Sequence, residues 1–105
     1  MDVLDLKVTQ YQHEIKLMTY RYPLPSSTVT RKGLVFFIHG YGGYCMRTGF
    51  WFKLMAEAGY EVYALDQRGF GLSEGERGFI ESEDILYGDI YSFIFGVTKK
   101  YDIDM

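Results

Sequence analysis

The sequence has little cysteine and no long apolar run. Its single cysteine, Cys45, cannot form an internal disulfide, and no group of Cys and His has the spacing of a zinc site. The longest apolar run, residues 34–38, is far shorter than the ~20 residues that cross a bilayer, and the acidic first residues do not make a signal peptide. We therefore expect a protein of a reducing, cytoplasmic compartment that holds no metal.

The sequence also lacks a concentration of positive charge. Residues 1–53 carry seven Lys and Arg against three Asp and Glu, whereas residues 54–105 carry four against eleven. The nearest basic clusters are isolated pairs at positions 31–32 and 99–100, and a nucleic-acid-binding surface needs a denser basic stripe. Nucleic acid is therefore excluded as a partner.

The overall composition fits one globular unit. The 105 residues suffice for a single domain or part of one, and 48% hydrophobic against 24% charged residues is the balance of a chain that can bury a core. No internal repeat or interdomain linker stands out. Residues 1–105 are therefore expected to form one structural unit.

Four segments have the apolar patterns of strands. Residues 14–20 alternate apolar and polar side chains, which predicts a half-buried strand paired with an earlier strand at residues 3–8. Residues 34–38 and 61–65 are continuous apolar and aromatic runs, which are typical of strands buried on both faces of a parallel sheet.

Two segments have the spacing of helices. Residues 48–58 predict a short helix, and Gly59 follows at a position that favours a left-handed helix end. Its apolar positions on one face are Trp51, Leu54, Met55 and Ala58. A second helix begins near residues 82–84. A hairpin followed by strand, helix, strand and helix predicts an α/β fold whose ligands bind at the carboxyl ends of the parallel strands.

A glycine-rich motif directly follows the first buried strand, and it reads His39-Gly40-Tyr41-Gly42-Gly43. Glycines let the backbone turn sharply and expose N–H groups, which can stabilise negative charge developing on a carbonyl oxygen. A plain glycine-rich turn between a strand and a helix fits this loop equally well. The motif G-x-G-x-x-G is absent, which argues against a dinucleotide site.

A second glycine-rich segment, residues 66–78, follows the second buried strand and reads D-Q-R-G-F-G-L-S-E-G-E-R-G. The two motifs H-G-x-G-G and G-Y-x-V-x-x-x-D-x-R-G-x-G-x-S, in this order, resemble the front half of the α/β-hydrolase superfamily. The continuation S-E-G-E-R-G resembles the monoglyceride lipase and lysophospholipase branch, which is grouped with the serine aminopeptidase S33 domain. The resemblance covers residues 34–101 and, more loosely, the preceding hairpin.

The resemblance implies a serine hydrolase that cleaves acyl esters of glycerol or of lysophospholipids through an acyl-enzyme. It implies that the backbone N–H of Tyr41 is one oxyanion donor and that His39, Gly40, Gly42 and Gly43 shape its loop. The remaining motif residues would be structural: Asp66, Arg68, Gly69, Gly71 and Ser73. No cofactor is implied because the donors are backbone groups. The expected partner is a lipid-like acyl ester, and any peripheral membrane contact would come from a cap region downstream.

One match inside the second motif is misleading. The segment 71–75 has the pattern G-x-S-x-G of a nucleophile elbow, but Ser73 lies eight residues beyond the predicted strand end and no helix start follows. Triad partners in this fold come in the order Ser, Asp or Glu, His, whereas His13 and His39 both precede every plausible serine. We therefore expect Ser73 to be structural and the sequence to contain no nucleophile, acid or base.

The sequence is thus expected to be the N-terminal part of an α/β-hydrolase with an incomplete sheet. The family's strand order, 1-2-4-3-5-6-7-8, would leave the strand at residues 34–38 with one side unpaired. The alternative is a catalytically inactive remnant or an interaction domain that uses this open edge.

Other residues have plainer explanations than catalysis. Cys45 is expected to pack, since no downstream histidine could activate it. The aromatic residues Phe50, Trp51 and Phe52 could line an acyl pocket, but rings at helical spacing are usually core. The acidic residues expected at the start of the second helix, where they favour the helix dipole, are Glu81, Glu83, Asp84 and Asp89.

Overall fold

The computed structural model describes residues 2–10, 13–26, 28–44, 49–80 and 82–103. Within them, strands and helices follow one another in the order that the sequence predicts. In chain order the elements are β1 (Asp2–Gln10), β2 (His13–Tyr22), β3 (Gly33–Ile38), α1 (Gly49–Glu57), β4 (Tyr60–Leu65) and α2 (Glu83–Lys100). The predicted α/β fold, with a hairpin followed by a β-α-β-α unit, is confirmed.

The strands form one sheet in the order β1-β2-β4-β3. β1 pairs antiparallel with β2, and β2 pairs antiparallel with β4 from Thr19 opposite Leu65 to Tyr22 opposite Val62. β3 and β4 are parallel, with Ile38 opposite Leu65 at their carboxyl ends. This is the order that the family resemblance implies.

β4 is the strand that is buried on both faces. Val62 and Ala64 belong to a core cluster under α1, whereas Tyr63 and Leu65 belong to a second cluster under α2, and all four are 0% exposed. β3 has the same apolar pattern, but each of its residues is only half-buried. The difference follows from position, because β4 lies between two strands and β3 is at the edge of the sheet.

α1 buries a different face from the expected one. Phe52 and Ala56 are buried, and the Phe52 ring contacts those of Phe37 and Tyr22 with centroids 4.9 and 5.3 Å apart. The residues predicted to share an apolar face, Trp51, Leu54, Met55 and Ala58, are all exposed. That interpretation was wrong because α1 is apolar nearly all round, so spacing alone does not select the face that meets the sheet.

α2 begins where the sequence predicts. Ser82 caps it, its Oγ accepting the Ile85 N–H at 3.2 Å, and Glu83 and Asp84 follow in the first turn, where they stabilise the positive end of the helix dipole. Phe93 packs edge-on against Phe36 with ring centroids 5.7 Å apart. Glu81 and Cys45 lie outside the described residues.

Within the described ranges, no strand pairs with the outer edge of β3. We expect residues 1–105, expressed alone, to be poorly soluble or partly folded, because the unpaired N–H and C=O groups of an uncharged strand act as a template for other chains. Size-exclusion chromatography with a thermal melt checks this expectation. A monomer that unfolds in one cooperative transition would contradict it.

The core under α2 contains one ionisable group with a displaced pKa. The Tyr63 hydroxyl donates to Glu61 Oε2 at 2.8 Å and accepts from Arg21 Nε at 3.4 Å. Burial, the largest effect, together with the Glu61 carboxylate, raises the pKa of Tyr63 to about 12 despite the opposing Arg21 hydrogen bond. Neutral tyrosine is therefore strongly favoured in the folded protein.

This raised pKa predicts a loss of stability at high pH. Between pH about 10 and 12 the unfolded Tyr63 releases its proton and the folded one keeps it. The free energy of unfolding therefore falls by roughly 1 kcal/mol per pH unit from this group. Denaturant melts across this range, compared with Tyr63→Phe, test the effect. An equally steep fall in the variant would exclude Tyr63 as its source.

Candidate active site

Two loops meet at one end of the sheet. Residues 39–44 leave the carboxyl end of β3, and residues 66–78 leave the carboxyl end of β4. Since these parallel strands are neighbours with Ile38 opposite Leu65, the loops start side by side. The structure therefore brings both sequence motifs into one site.

His39 joins the two loops. It is buried, and its Nε2 accepts the backbone N–H of Gln67 at 2.9 Å. Its Nδ1 lies 2.8 Å from Gly40 O, while the Gln67 side-chain amide donates to His39 O at 2.5 Å. Sequence reasoning missed Gln67 because nothing in its spacing marks the long-range contact.

The oxyanion loop proposed from the sequence is a tight turn. The Gly43 N–H donates to Gly40 O at 2.9 Å across the turn. Gly42, the third residue of the turn, has φ of 78°, a left-handed value that a residue with a side chain rarely adopts. A Cβ at Gly43 would lie 3.1 Å from Gly40 O, so this part of the loop has little room for a side chain.

Tyr41 stands at the tip of this turn. Its side chain is 76% exposed, yet its hydroxyl donates to Gly78 O at 3.0 Å and its ring meets Phe70 edge-on at 5.3 Å. Phe70 also contacts the His39 ring, with centroids 5.5 Å apart. Among the described residues, no acceptor contacts the Tyr41 backbone N–H. The second loop thus supports the first by ring contacts and hydrogen bonds while one backbone donor is available.

Asp66 organises the second loop from within. It is 1% exposed, and its Oδ2 accepts from the Tyr20 hydroxyl at 2.7 Å and from the Leu72 N–H at 3.1 Å. Gly71 crosses directly over this carboxylate with φ of 53°, and a Cβ there would collide with Asp66 Oδ2. Such a carboxylate, buried but hydrogen-bonded, shapes the loop rather than facing a substrate.

Ser73 is part of the same buried network. Its side chain is 2% exposed, its Oγ donates to Asp66 O, and it accepts the Met18 N–H at 2.8 Å. Glu74 continues this contact, since its N–H donates to Lys16 O at 3.0 Å. The loop therefore hydrogen-bonds β2 beyond the end of β4. A hydroxyl bound in this way is poorly placed to attack a substrate, which supports the structural interpretation of Ser73.

Arg68 forms a partly buried ion pair with α2. Its Nε and Nη2 donate to the two carboxylate oxygens of Asp89 at 3.0 and 2.9 Å, and Asp89 is 1% exposed. Asp89, interpreted from the sequence as one of the carboxylates in the first turns of the helix, lies in α2 beyond its first turn and serves as the partner of Arg68. Removing one partner of a buried pair leaves the other charge uncompensated.

Further contacts within the second loop involve Arg77, for which the sequence predicts no role, and several of the motif glycines. The Arg77 guanidinium donates to the carbonyl oxygens of Gly71, Ser73 and Gly75, which holds the loop together. The Gly69 N–H donates to Glu74 O, and Gly69 O accepts the Gly78 N–H, each at 2.9 Å. These are internal supports of the loop.

The aromatic residues of α1 take separate positions. Phe52 is core, whereas Phe50 and Trp51 are 69% and 61% exposed. No group of three or more His, Cys, Asp or Glu in the described ranges is arranged to hold a metal ion. Within the same ranges, neither helix has the length and apolarity needed to cross a membrane.

The fold and the paired loops are those of the front part of an α/β-hydrolase. The family model described as "Serine aminopeptidase, S33" matches residues 30–103, and the chain belongs to this family. Monoglyceride lipase of Rattus norvegicus is 33% identical over 81 residues, which are 77% of this chain and 26% of that relative. The chain thus spans about a quarter of the length of this curated relative.

Solved structures have the same fold. A soluble variant of monoglyceride lipase from Saccharomyces cerevisiae, in complex with a substrate analog, superposes with a TM-score of 0.68 at 23% identity and covers 89% of this chain and 31% of that one. A thermostable carboxyl esterase from Bacillus coagulans has a TM-score of 0.74 at 19% identity, covering 97% and 34% of the two chains. These similarities support the fold.

We expect Gly71→Ala to destabilise the protein by about 3 kcal/mol. The new Cβ must displace the buried Asp66 carboxylate, and the left-handed backbone adds ~1 kcal/mol. Gly40→Ala is the matched control, because a Cβ there meets nothing within 4 Å; it should leave the free energy of unfolding within about 1 kcal/mol of wild type. Denaturant melts compare them, and equal effects would contradict the proposed contact.

Proposed function

We propose that the protein is a serine ester hydrolase acting on monoacylglycerol or lysophospholipid-type acyl esters, and that this chain supplies its oxyanion loop. The observation that carries the proposal is the Gly40–Tyr41 peptide. Gly40 O is in contact with both His39 Nδ1 and the Gly43 N–H, and no acceptor among the described residues contacts the Tyr41 N–H. A rigid peptide with an available donor is what oxyanion stabilisation needs.

The chemistry follows from that donor. When a serine attacks an ester carbonyl, the carbonyl oxygen gains negative charge, and a donor already aimed at it lowers the barrier without reorganisation. Tyr41 N–H is the donor from this chain. In the proposal, a second donor comes from the residue after the nucleophile, as in other α/β-hydrolases.

The nucleophile is proposed to lie outside these 105 residues. Ser73 Oγ already binds two backbone groups, and Ser82 Oγ accepts the N–H of Ile85 at the start of α2. His39 is no candidate base, because both of its ring nitrogens contact backbone groups of the loops. A hydroxyl without a base is a weak nucleophile at neutral pH.

The substrate class is proposed from the relatives and from the surface beside the site. The rat relative and one solved structure are named monoglyceride lipases. Apolar side chains of the two loops and the adjoining segment are exposed: Tyr41 is 76%, Leu72 68% and Phe79 52% exposed. Such a rim suits an apolar acyl ester. Membrane contact through a cap region and a cytoplasmic location remain proposals of the same kind.

A second candidate function is a catalytically inactive remnant or interaction domain. The observation that favours it is the outer edge of β3, which no described strand covers. An open edge can add a strand from a partner.

Intact mass and serine labelling of the endogenous protein distinguish the two functions. We expect a mass well above 12.2 kDa and labelling of a serine other than Ser73 by a fluorophosphonate, because the proposed hydrolase needs an activated nucleophile. Ser73→Ala is the matched control and should still label if it folds. A protein of 12.2 kDa that does not label would favour the remnant.

A further inference from the structure

We propose that Gln67 is a positioning residue that acts through His39 to aim the Tyr41 N–H at the reacting carbonyl oxygen. The inference rests on the proposed hydrolase function. The resemblance already gives His39 a loop-shaping role, whereas the role of Gln67 is defined by neither glycine-rich motif. It follows from three hydrogen bonds. Two of them connect Gln67, in the loop after β4, to the ring and the carbonyl oxygen of His39, and the third joins the His39 ring to Gly40 O within the loop after β3.

The first step sets the protonation of the His39 ring. Its Nε2 accepts the Gln67 backbone N–H at 2.9 Å, and an imidazole nitrogen that accepts a hydrogen bond carries no proton. The proton of the neutral ring is therefore on Nδ1. From there it donates to Gly40 O at 2.8 Å. Gln67 thus selects the tautomer that makes His39 a donor to its own loop.

The second step transmits this contact to the oxyanion donor. Gly40 O and the Tyr41 N–H belong to the same planar trans peptide and point in opposite directions. Gly40 O is held by two donors, Nδ1–H of His39 and the N–H of Gly43 at 2.9 Å. Fixing the oxygen from both sides fixes the direction of the Tyr41 N–H.

The third step holds the preceding peptide. The Gln67 backbone N–H is used by the His39 ring, and its side-chain amide donates to His39 O at 2.5 Å. Residue 67 therefore holds both the ring and the carbonyl oxygen of residue 39, which lies in the neighbouring loop. The glutamine side chain is long enough to donate to His39 O, whereas a shorter or apolar side chain would leave this oxygen without that hydrogen bond.

Packing alone is the competing explanation for His39. Its ring is buried and contacts Phe70 edge-on at 5.5 Å, which a leucine or phenylalanine could replace in part. Packing and positioning differ in one respect. Only positioning requires an N–H donor at the Nδ1 location, which an asparagine side chain also provides and a leucine does not.

The test uses His39→Asn, His39→Leu and Gln67→Met in the protein at the length the cell makes it. Ester hydrolysis gives kcat and KM, and ¹⁵N spectra of the histidine rings give the tautomer. We expect His39→Leu to lower kcat by more than tenfold with KM near wild type, approaching the ~10²-fold cost of losing an oxyanion donor. His39→Asn should recover most of that loss, and Gln67→Met should lower kcat without changing the tautomer.

Several results would overturn the inference. Equal kcat for His39→Asn and His39→Leu would mean that no donor is needed, and a loss confined to KM would mean that the loop only binds substrate. A proton on Nε2 of His39 in the wild-type spectra would remove the first step. A wild-type protein that hydrolyses no ester and takes up no fluorophosphonate refutes the proposed function and this inference together. An active enzyme whose variants keep the wild-type kcat refutes the inference alone.

Discussion

The parallel pairing of β3 with β4 is the constraint on which the rest of this structure depends. Parallel neighbours end at the same edge of a sheet, so the pairing of Ile38 with Leu65 places the loops after both strands in contact. Without it, His39 and Gln67 would be separated by 28 positions of chain and by the whole of α1. The pairing also makes β4 the central strand, buried under α1 on one face and α2 on the other.

The two loops have different physical tasks. The first is short, glycine-rich and exposed at Tyr41, and it has few internal contacts of its own. The second is held by buried polar groups, because Asp66 and Ser73 bind backbone atoms and Arg68 pairs with Asp89. In the low dielectric of the interior such bonds are costly to break. A rigid second loop can therefore fix the direction of a donor in the first.

The long second loop also compensates for the unequal lengths of β2 and β4. β2 continues past the point where β4 ends, which would leave backbone groups of its residues 16–18 without a neighbour. Met18 N–H instead donates to Ser73 Oγ, Met18 O accepts the Asp66 N–H, and Lys16 exchanges hydrogen bonds with Glu74. The Ser73 hydroxyl thus satisfies a backbone N–H of β2 that β4 does not reach, and this explains why the hydroxyl is buried.

Local pattern was enough to predict the elements and the class of fold. The continuous run in β4, the glycine stop after α1 and the serine that caps α2 each act through neighbours in sequence, so the sequence by itself determined them. Tertiary structure decided which face of α1 meets the sheet, because that helix is apolar nearly all round. Phe52 is the residue that packs against the rings of Phe37 and Tyr22. It also decided the partners of Gln67 and Asp89. Their hydrogen bonds join residues 21 or more positions apart. Such bonds form only when two loops, or a loop and a helix, meet in the fold, and no local spacing in the sequence encodes that meeting.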